Sequence, residues 1–159
     1  MPKEQTVRKA SDNKYLHRHF HTIMNMGLEY LRAHYGEESV EEYLQQYANA
    51  YYGPLKRRVA QEGLPAVMDY YRGVYEAEEA AADITFSNSP DELVIHISRC
   101  PAVTHMRQNG VAVSPLYAET ARVIGETLCG GTPFEYALVS YRQADGASVQ
   151  RFYRKAVAE

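Results

Sequence analysis

The fold is decided in the stretch DITFSNSPDELVIHI, residues 83–97. Upstream of it, apolar residues recur at the 3.6-residue spacing of helices. Within it they alternate with polar residues at a period of two, which is typical of half-buried strands. The residues from Ser87 to Asp91 separate two alternating runs and are dense in turn formers. The stretch therefore predicts a β-hairpin that follows a helical half.

Four helical patterns precede this hairpin. Asp12 or Asn13 is suited to cap the first helix, because a short polar side chain accepts a bond from an unpaired N–H of the first turn. Acidic residues from Glu37 onward open the second and complement the helix dipole. Pro54 and Pro65 open the third and the fourth at a position where a missing N–H does no harm.

A helix and a second hairpin are predicted downstream. Ser114 is the expected cap of this helix, with Pro115 at its first position. The arms of the second hairpin meet at Asp145-Gly146, a strong turn signal. Grouped helices and grouped strands predict an α+β fold, in which N-terminal helices pack on an antiparallel sheet made of two β-hairpins separated by a helix.

Composition indicates one domain with ordinary packing. The 159 residues are predicted to form a loose arm over 1–11 and a single domain over 12–159, with a helical half at 12–82 and a hairpin–helix–hairpin half at 83–159. A net charge of −3 disfavours nucleic acid as a partner, and no apolar run is long enough for a membrane. Two cysteines and a polar N-terminus predict a cytoplasmic protein.

Tyrosine is over-represented, with 14 residues against 4 Phe and no Trp. A tyrosine fills core volume but keeps a hydroxyl that needs a partner or water. This composition predicts a polar-lined pocket or an interface. The alternative is that the tyrosines are rim residues of amphipathic helices.

Three histidines lie near the start of the first predicted helix. His17 and His21 are four residues apart, so they lie about 40° apart on one helix face, whereas His19 lies about 200° from His17. The His17/His21 pair is a candidate for lining a pocket, for acting as a base, or for binding a metal with a further ligand. A surface or packing role is the alternative. We expect no cofactor, with a metal at His17/His21 as the less favoured hypothesis.

Cys100 is the second candidate for chemistry. It ends a predicted strand directly before Pro101, so its thiol is expected at a helix N-terminus, where the dipole lowers a thiol pKa. His105 in the following turn, or His17 or His21 brought across by the fold, is the expected partner base. The alternative is a buried cysteine that behaves as a small hydrophobic residue.

Three short motifs, taken in order, carry a resemblance to a known family. They are the helix opening DNKYLHRHFH at 12–21, Cys100-Pro101, and the Gly130-Gly131 that precedes Phe134-Glu135-Tyr136. Over about Ser11 to Tyr153 the chain resembles the L-2-amino-thiazoline-4-carboxylic acid hydrolase family, whose named members open a thiazoline ring to give S-carbamoyl-cysteine. The order of elements is also similar to vinyl-reductase-type ligand-binding domains, a likeness of architecture only.

The chain departs from the hydrolase pattern in two segments. Thr132-Pro133-Phe134-Glu135 stands where relatives commonly have a further Cys before an Asp-Phe pair, and Ser114-Pro115-Leu116-Tyr117 replaces a Cys-Asp region. What the resemblance implies is therefore carried over only to Cys100 and the His17/His21 helix.

The resemblance implies a hydrolase of a cyclic C–N bond in a small molecule similar to a thiazoline carboxylate. Cys100 is then the nucleophile, and His21 or His17 is the general base. The residues expected to bind the substrate are Asn13, Tyr15, His105 and Tyr117.

Two other functions stay open. One is a non-catalytic module that binds or senses a small molecule in the same pocket. The other is a structural homodimer in which the tyrosine-rich second helix is buried against a second copy of the chain.

Overall fold

The computed structural model describes residues 16–156, and the side chains from His19 onward. The predicted arm at 1–11, the cap at Asp12 or Asn13, and the candidates Asn13 and Tyr15 lie outside the described residues. His17 lies within the first described helix, but its side chain is not among those described.

From Leu16 to Asp83, the described part of the helical half contains four α-helices and a short 3-10 helix. The elements are α1 (Leu16–Tyr35), α2 (Glu37–Tyr51), α3 (Gly53–Glu62), α4 (Leu64–Ala77) and the 3-10 helix Ala81–Asp83. Helices α3 and α4 each carry proline in the first turn, as predicted. None of the described helices is both long and apolar enough to cross a membrane.

The second half is a four-stranded antiparallel sheet with two helices in the connection. Its elements are β1 (Ile84–Asn88), β2 (Glu92–Ile97), α5 (Pro101–Gln108), α6 (Ala118–Cys129), β3 (Phe134–Tyr141) and β4 (Ser148–Arg154). The strand order is β1-β2-β4-β3, so the two hairpins join through the pairing of β2 with β4. The predicted α+β fold is confirmed.

The connection between the hairpins differs from the sequence prediction. It contains two helices, since the residues after Cys100 form the eight-residue α5 and not a single turn. Ser114 does not cap α6, which begins four residues later at Ala118. Instead, Ser114 Oγ accepts a hydrogen bond from the backbone N–H of Leu116 at 3.2 Å, so the Ser-Pro signal marks a turn ahead of the helix.

The interior consists of two packed clusters. The first joins the inner face of the sheet to α3 and α4, through fully buried residues such as Leu93, Ile95 and Phe152. The second joins α1, α2, α5 and α6. Ile124 on α6 packs against both clusters. The boundary between them runs past the N-terminus of α5, which is where Cys100 lies.

Candidate functional site

A cavity of about 130 Å³ lies at the boundary between the two clusters. Helices α4 and α6, the ends of β2, β3 and β4, and the turn of the second hairpin all contribute to its wall. The lining residues are Tyr71, Tyr75, Ile97, Cys100, Tyr117, Thr120, Ala121, Ile124, Tyr141, Gly146, Ser148 and Gln150. The wall combines phenol, hydroxyl, thiol and amide groups, and none of these described lining residues is charged.

Gln150 organises one side of the cavity. It lies on β4 and is 3% exposed. Its Oε1 accepts hydrogen bonds from the Tyr71 hydroxyl at 3.1 Å and from the Tyr136 hydroxyl at 3.0 Å. Two donors on one amide oxygen fix the orientation of the side chain and of both phenols. This side of the cavity is therefore held rigid by hydrogen bonds between α4, β3 and β4.

Tyr141 contributes a hydroxyl of a different kind. The oxygen is buried, and it makes no hydrogen bond to any residue that the structure describes. A buried hydroxyl without a partner costs on the order of 1–3 kcal/mol. Burial also raises the pKa of Tyr141 well above its ordinary value, so the hydroxyl is protonated and remains a donor.

Cys100 lines the cavity where the second hairpin touches α5. The Cys100 N–H donates to the Asp145 carbonyl at 2.9 Å, which fixes the hairpin turn against the helix. Burial raises the pKa of the Cys100 thiol, and the backbone N–H groups of Val103 and Ala102 in the first turn of α5 oppose this only in part. The predicted position at a helix N-terminus is confirmed, but the thiol is stabilised in its neutral form.

His21 reaches the cavity wall through Tyr117. The His21 Nδ1 atom lies 3.3 Å from the Tyr117 hydroxyl, and His21 Nε2 lies 3.9 Å from Glu78 Oε1. The Glu78 side chain is only 4% exposed, whereas that of His21 is 27% exposed. A carboxylate, an imidazole and a phenol thus follow one another from the end of α4, across α1, to the cavity.

The position of Tyr117 depends on contacts between α1 and the loop before α6. Asn25 on α1 is 2% exposed. Its Nδ2 donates to the Ala112 carbonyl at 2.9 Å, and its Oδ1 accepts from the Ser114 N–H at 2.7 Å. Because His21 and Asn25 are four residues apart, they share one face of α1. The helix that carries His21 therefore also holds the loop that presents Tyr117.

His105, predicted to bind substrate, lies away from this cavity. It lines a surface groove of about 190 Å³ together with Glu78, Asp83 and Arg99. His19 packs edge-on against His105, with ring centroids 6.1 Å apart, so His19 and His21 have different neighbours, as their spacing predicts. Among the described residues, no group of three His, Cys, Asp or Glu side chains is arranged to hold a metal ion. A site that includes His17 stays a prediction.

The structure therefore places Cys100 and Tyr117, two of the residues selected from the sequence, in the wall of one cavity, and a third, His21, in contact with Tyr117. It also adds residues that the sequence reasoning missed. These are Tyr71, Tyr75, Glu78, Tyr141 and Gln150. Tyrosine abundance was a signal for three of them, because it predicts a polar-lined pocket, but nothing in the sequence marks Glu78 or Gln150.

The chain was compared with protein-family models, with curated proteins and with solved structures. None of them matches. The resemblance to the L-2-amino-thiazoline-4-carboxylic acid hydrolase family and the likeness to vinyl-reductase-type domains stay predictions from short motifs and element order. The feature of the structure that bears on function is the cavity itself.

Proposed function

We propose that the protein binds a small uncharged molecule, of ring size and with a hydrogen-bond acceptor, in the cavity between α4, α6 and the sheet. The observation that carries this proposal is Tyr141, a residue that lines the cavity and whose buried hydroxyl has no hydrogen-bond partner among the described residues. A carbonyl oxygen or ring nitrogen of a ligand would complete it. Recognition by a few placed polar groups in a mostly apolar pocket is the usual design of small-molecule sites.

The volume of the cavity limits the size of the ligand. An engineered cavity of roughly 150 Å³ in another protein holds one benzene molecule, and this cavity measures about 130 Å³. The bound molecule is therefore a five- or six-membered ring, or its equivalent, with few substituents. For ligands of this size affinities in the micromolar to millimolar range are expected, since binding free energy is limited by the number of atoms.

The uncharged lining residues also limit the charge that the ligand carries. The described lining residues supply no cation, so a carboxylate would be moved from water into the pocket without a counter-charge. An uncompensated buried charge costs several kcal/mol. A neutral ligand avoids this cost, which favours a ketone, a lactam or a phenol over an amino acid or a thiazoline carboxylate.

Hydrolysis with Cys100 as the nucleophile has less support. Burial raises the pKa of the thiol and so opposes the thiolate that attacks. Among the described residues that line the cavity there is no histidine, and His21 Nδ1 lies at the Tyr117 hydroxyl. The non-catalytic alternative, a module that binds or senses a ligand, needs neither feature.

Calorimetric titration of the full chain tests the proposal. Cyclohexanone, which is neutral and carries one acceptor, is expected to bind and to raise the thermal unfolding temperature. Cyclohexanecarboxylate, of similar shape but charged, is expected not to bind. Saturation at 100 times the Kd should stabilise the fold by about 2.7 kcal/mol.

Two variants locate the binding. Ala121→Leu fills the cavity from α6 and should abolish cyclohexanone binding. Tyr70→Phe removes a half-buried hydroxyl that bonds to Tyr52 at 3.4 Å outside the cavity, so it is the matched control and should bind like the wild type. Equal binding by Ala121→Leu, or tighter binding of the carboxylate, would overturn the proposal.

A further inference from the structure

We propose that Tyr117, His21 and Glu78 form a proton relay, which gives the protein a proton-transfer activity on a carbonyl compound bound in the cavity. The reaction class is enolisation at the carbon next to the carbonyl, with isomerisation as its productive outcome. This inference rests on the proposed binding function, because it requires a ligand against Tyr117.

The relay is continuous from solvent to cavity. Tyr117 lines the cavity and is 6% exposed, and its hydroxyl lies 3.3 Å from His21 Nδ1. The His21 side chain is 27% exposed, so the imidazole exchanges its protons with water. Glu78 also lines the surface groove beside α5. A proton taken from the ligand therefore has a path out of the cavity.

The two nitrogens of His21 have different neighbours, and this sets the direction of transfer. With the imidazole proton on Nε2, towards Glu78, the Nδ1 atom accepts a hydrogen bond from the Tyr117 hydroxyl. Glu78, whose Oε1 lies 3.9 Å from His21 Nε2, then acts as a positioning residue: its negative charge favours the tautomer with the proton on Nε2 and offsets the positive charge that His21 gains. A carboxylate behind a histidine does the same in other general-base sites.

The proton transfer from the ligand to His21 requires no cofactor. A C–H bond next to the ligand carbonyl breaks, its proton passes to the Tyr117 oxygen, and the proton of Tyr117 passes to His21 Nδ1. The C–H electron pair forms a C=C bond, and the carbonyl oxygen becomes an enolate oxygen. His21 becomes an imidazolium beside the Glu78 carboxylate. Return of a proton to the same carbon restores the ketone, and return to another position of a conjugated ligand gives the isomer.

Two further features of the cavity suit this step. Burial keeps Tyr117 protonated by raising its pKa, so tyrosinate does not accumulate and the hydroxyl passes one proton on as it receives another. Tyr141 lines the same cavity, and its buried hydroxyl is a donor for the enolate oxygen, in a setting of low dielectric that strengthens such a hydrogen bond.

Hydrogen–deuterium exchange of cyclohexanone measures the activity directly. In D₂O, loss of the α-proton signal in the NMR spectrum gives the exchange rate, and calorimetry on the same sample gives the Kd. The wild-type chain should accelerate exchange by roughly 100-fold or more over the same concentration of free imidazole, within the usual range for a positioned acid or base.

Variants separate the relay from binding. Tyr117→Phe and His21→Gln should each lose most of the acceleration, about 100-fold, while the Kd changes little. Glu78→Gln should slow exchange about 10-fold at an unchanged Kd, an effect on rate that a merely structural role would not produce without weakening binding. Tyr70→Phe is the control for removing a tyrosine hydroxyl elsewhere, and thermal unfolding checks that each variant folds.

The two proposals fail in different ways. Cyclohexanone that binds to the wild-type chain without faster exchange would overturn the relay and leave the binding function intact. Exchange that persists at the wild-type rate in Tyr117→Phe would also overturn it. Absence of binding to the wild-type chain would overturn the proposed function and, with it, the relay.

Discussion

Two effects act in opposite directions on the thiol of Cys100. The N-terminus of α5 favours the thiolate, as the sequence predicts from the following Pro101, but burial disfavours it more strongly, and the pKa is raised overall. Glu78 also raises the pKa of the Cys100 thiol, by less than burial does, because its negative charge repels the negative charge of a thiolate. Only the first of these effects is visible in the sequence, since burial and Glu78 depend on the tertiary fold.

Slow alkylation of Cys100 follows from this balance. In a Cys129→Ser background, iodoacetamide should label Cys100 more slowly at about pH 8 than it labels a short unstructured cysteine peptide, whose thiol titrates near about 8.5. Cys129 is replaced so that the labelling reports Cys100 alone. Burial also raises the pKa of Cys129, to about 12. Mass spectrometry against pH gives the rate. A fast phase of labelling below about pH 7 would instead identify Cys100 as an activated nucleophile and would support the hydrolase hypothesis.

At the scale of elements, the cavity depends on how closely the second hairpin approaches α5. Gly146 lies at the hairpin turn with a φ of +70°, and a Cβ there would lie 2.5 Å from the Cys100 Cβ and 2.9 Å from Val103 Cγ2. The sequence pattern Asp145-Gly146 predicts the turn. It does not predict the contact, because the neighbour of the glycine comes from a different part of the chain.

Gly146→Ala should therefore lower the free energy of unfolding by about 2 kcal/mol, since it combines a strained φ with a clash against packed side chains. Gly27→Ala is the matched control. Gly27 lies inside α1, where an added Cβ meets nothing within 4 Å, so alanine should raise stability by about 1 kcal/mol. Urea unfolding measures both. Equal effects of the two substitutions would contradict the close contact between the turn and α5.

At the scale of the whole molecule, the spacing of apolar residues changes near Asp83 from 3.6 residues to two, and this change was sufficient to predict the fold class. Local signals located most of the helices and strands. The pairing of β2 with β4, which joins the hairpins, is a long-range contact that no local pattern contains. The same holds for the cavity, which lies where two clusters meet and draws its wall from distant segments. Residue type was enough to select Cys100, His21 and Tyr117, but not to show that Tyr117 lines one cavity with Cys100 and also contacts His21.

The concentration of buried phenols has a consequence for the stability of the whole molecule at high pH. Burial raises the pKa of several tyrosines well above its ordinary value of about 10. They are Tyr71, Tyr75, Tyr117, Tyr136 and Tyr141. Above about pH 10 the unfolded chain loses these protons while the folded chain keeps them, so the folded state binds more protons and stability falls as pH rises.

Tyr75 is the best single test, because it is 5% exposed and its pKa is raised mainly by burial. At about pH 11, one such group lowers the free energy of unfolding by about 1.4 kcal/mol relative to neutral pH. Tyr75→Phe removes that contribution and leaves every other titrating group in place. Urea unfolding at about pH 7 and pH 11 should therefore show a loss of stability that is smaller in Tyr75→Phe than in the wild type by about 1.4 kcal/mol. The same loss in both proteins would mean that the Tyr75 phenol ionises in the folded state, and the neutral character assigned to the cavity would then be wrong.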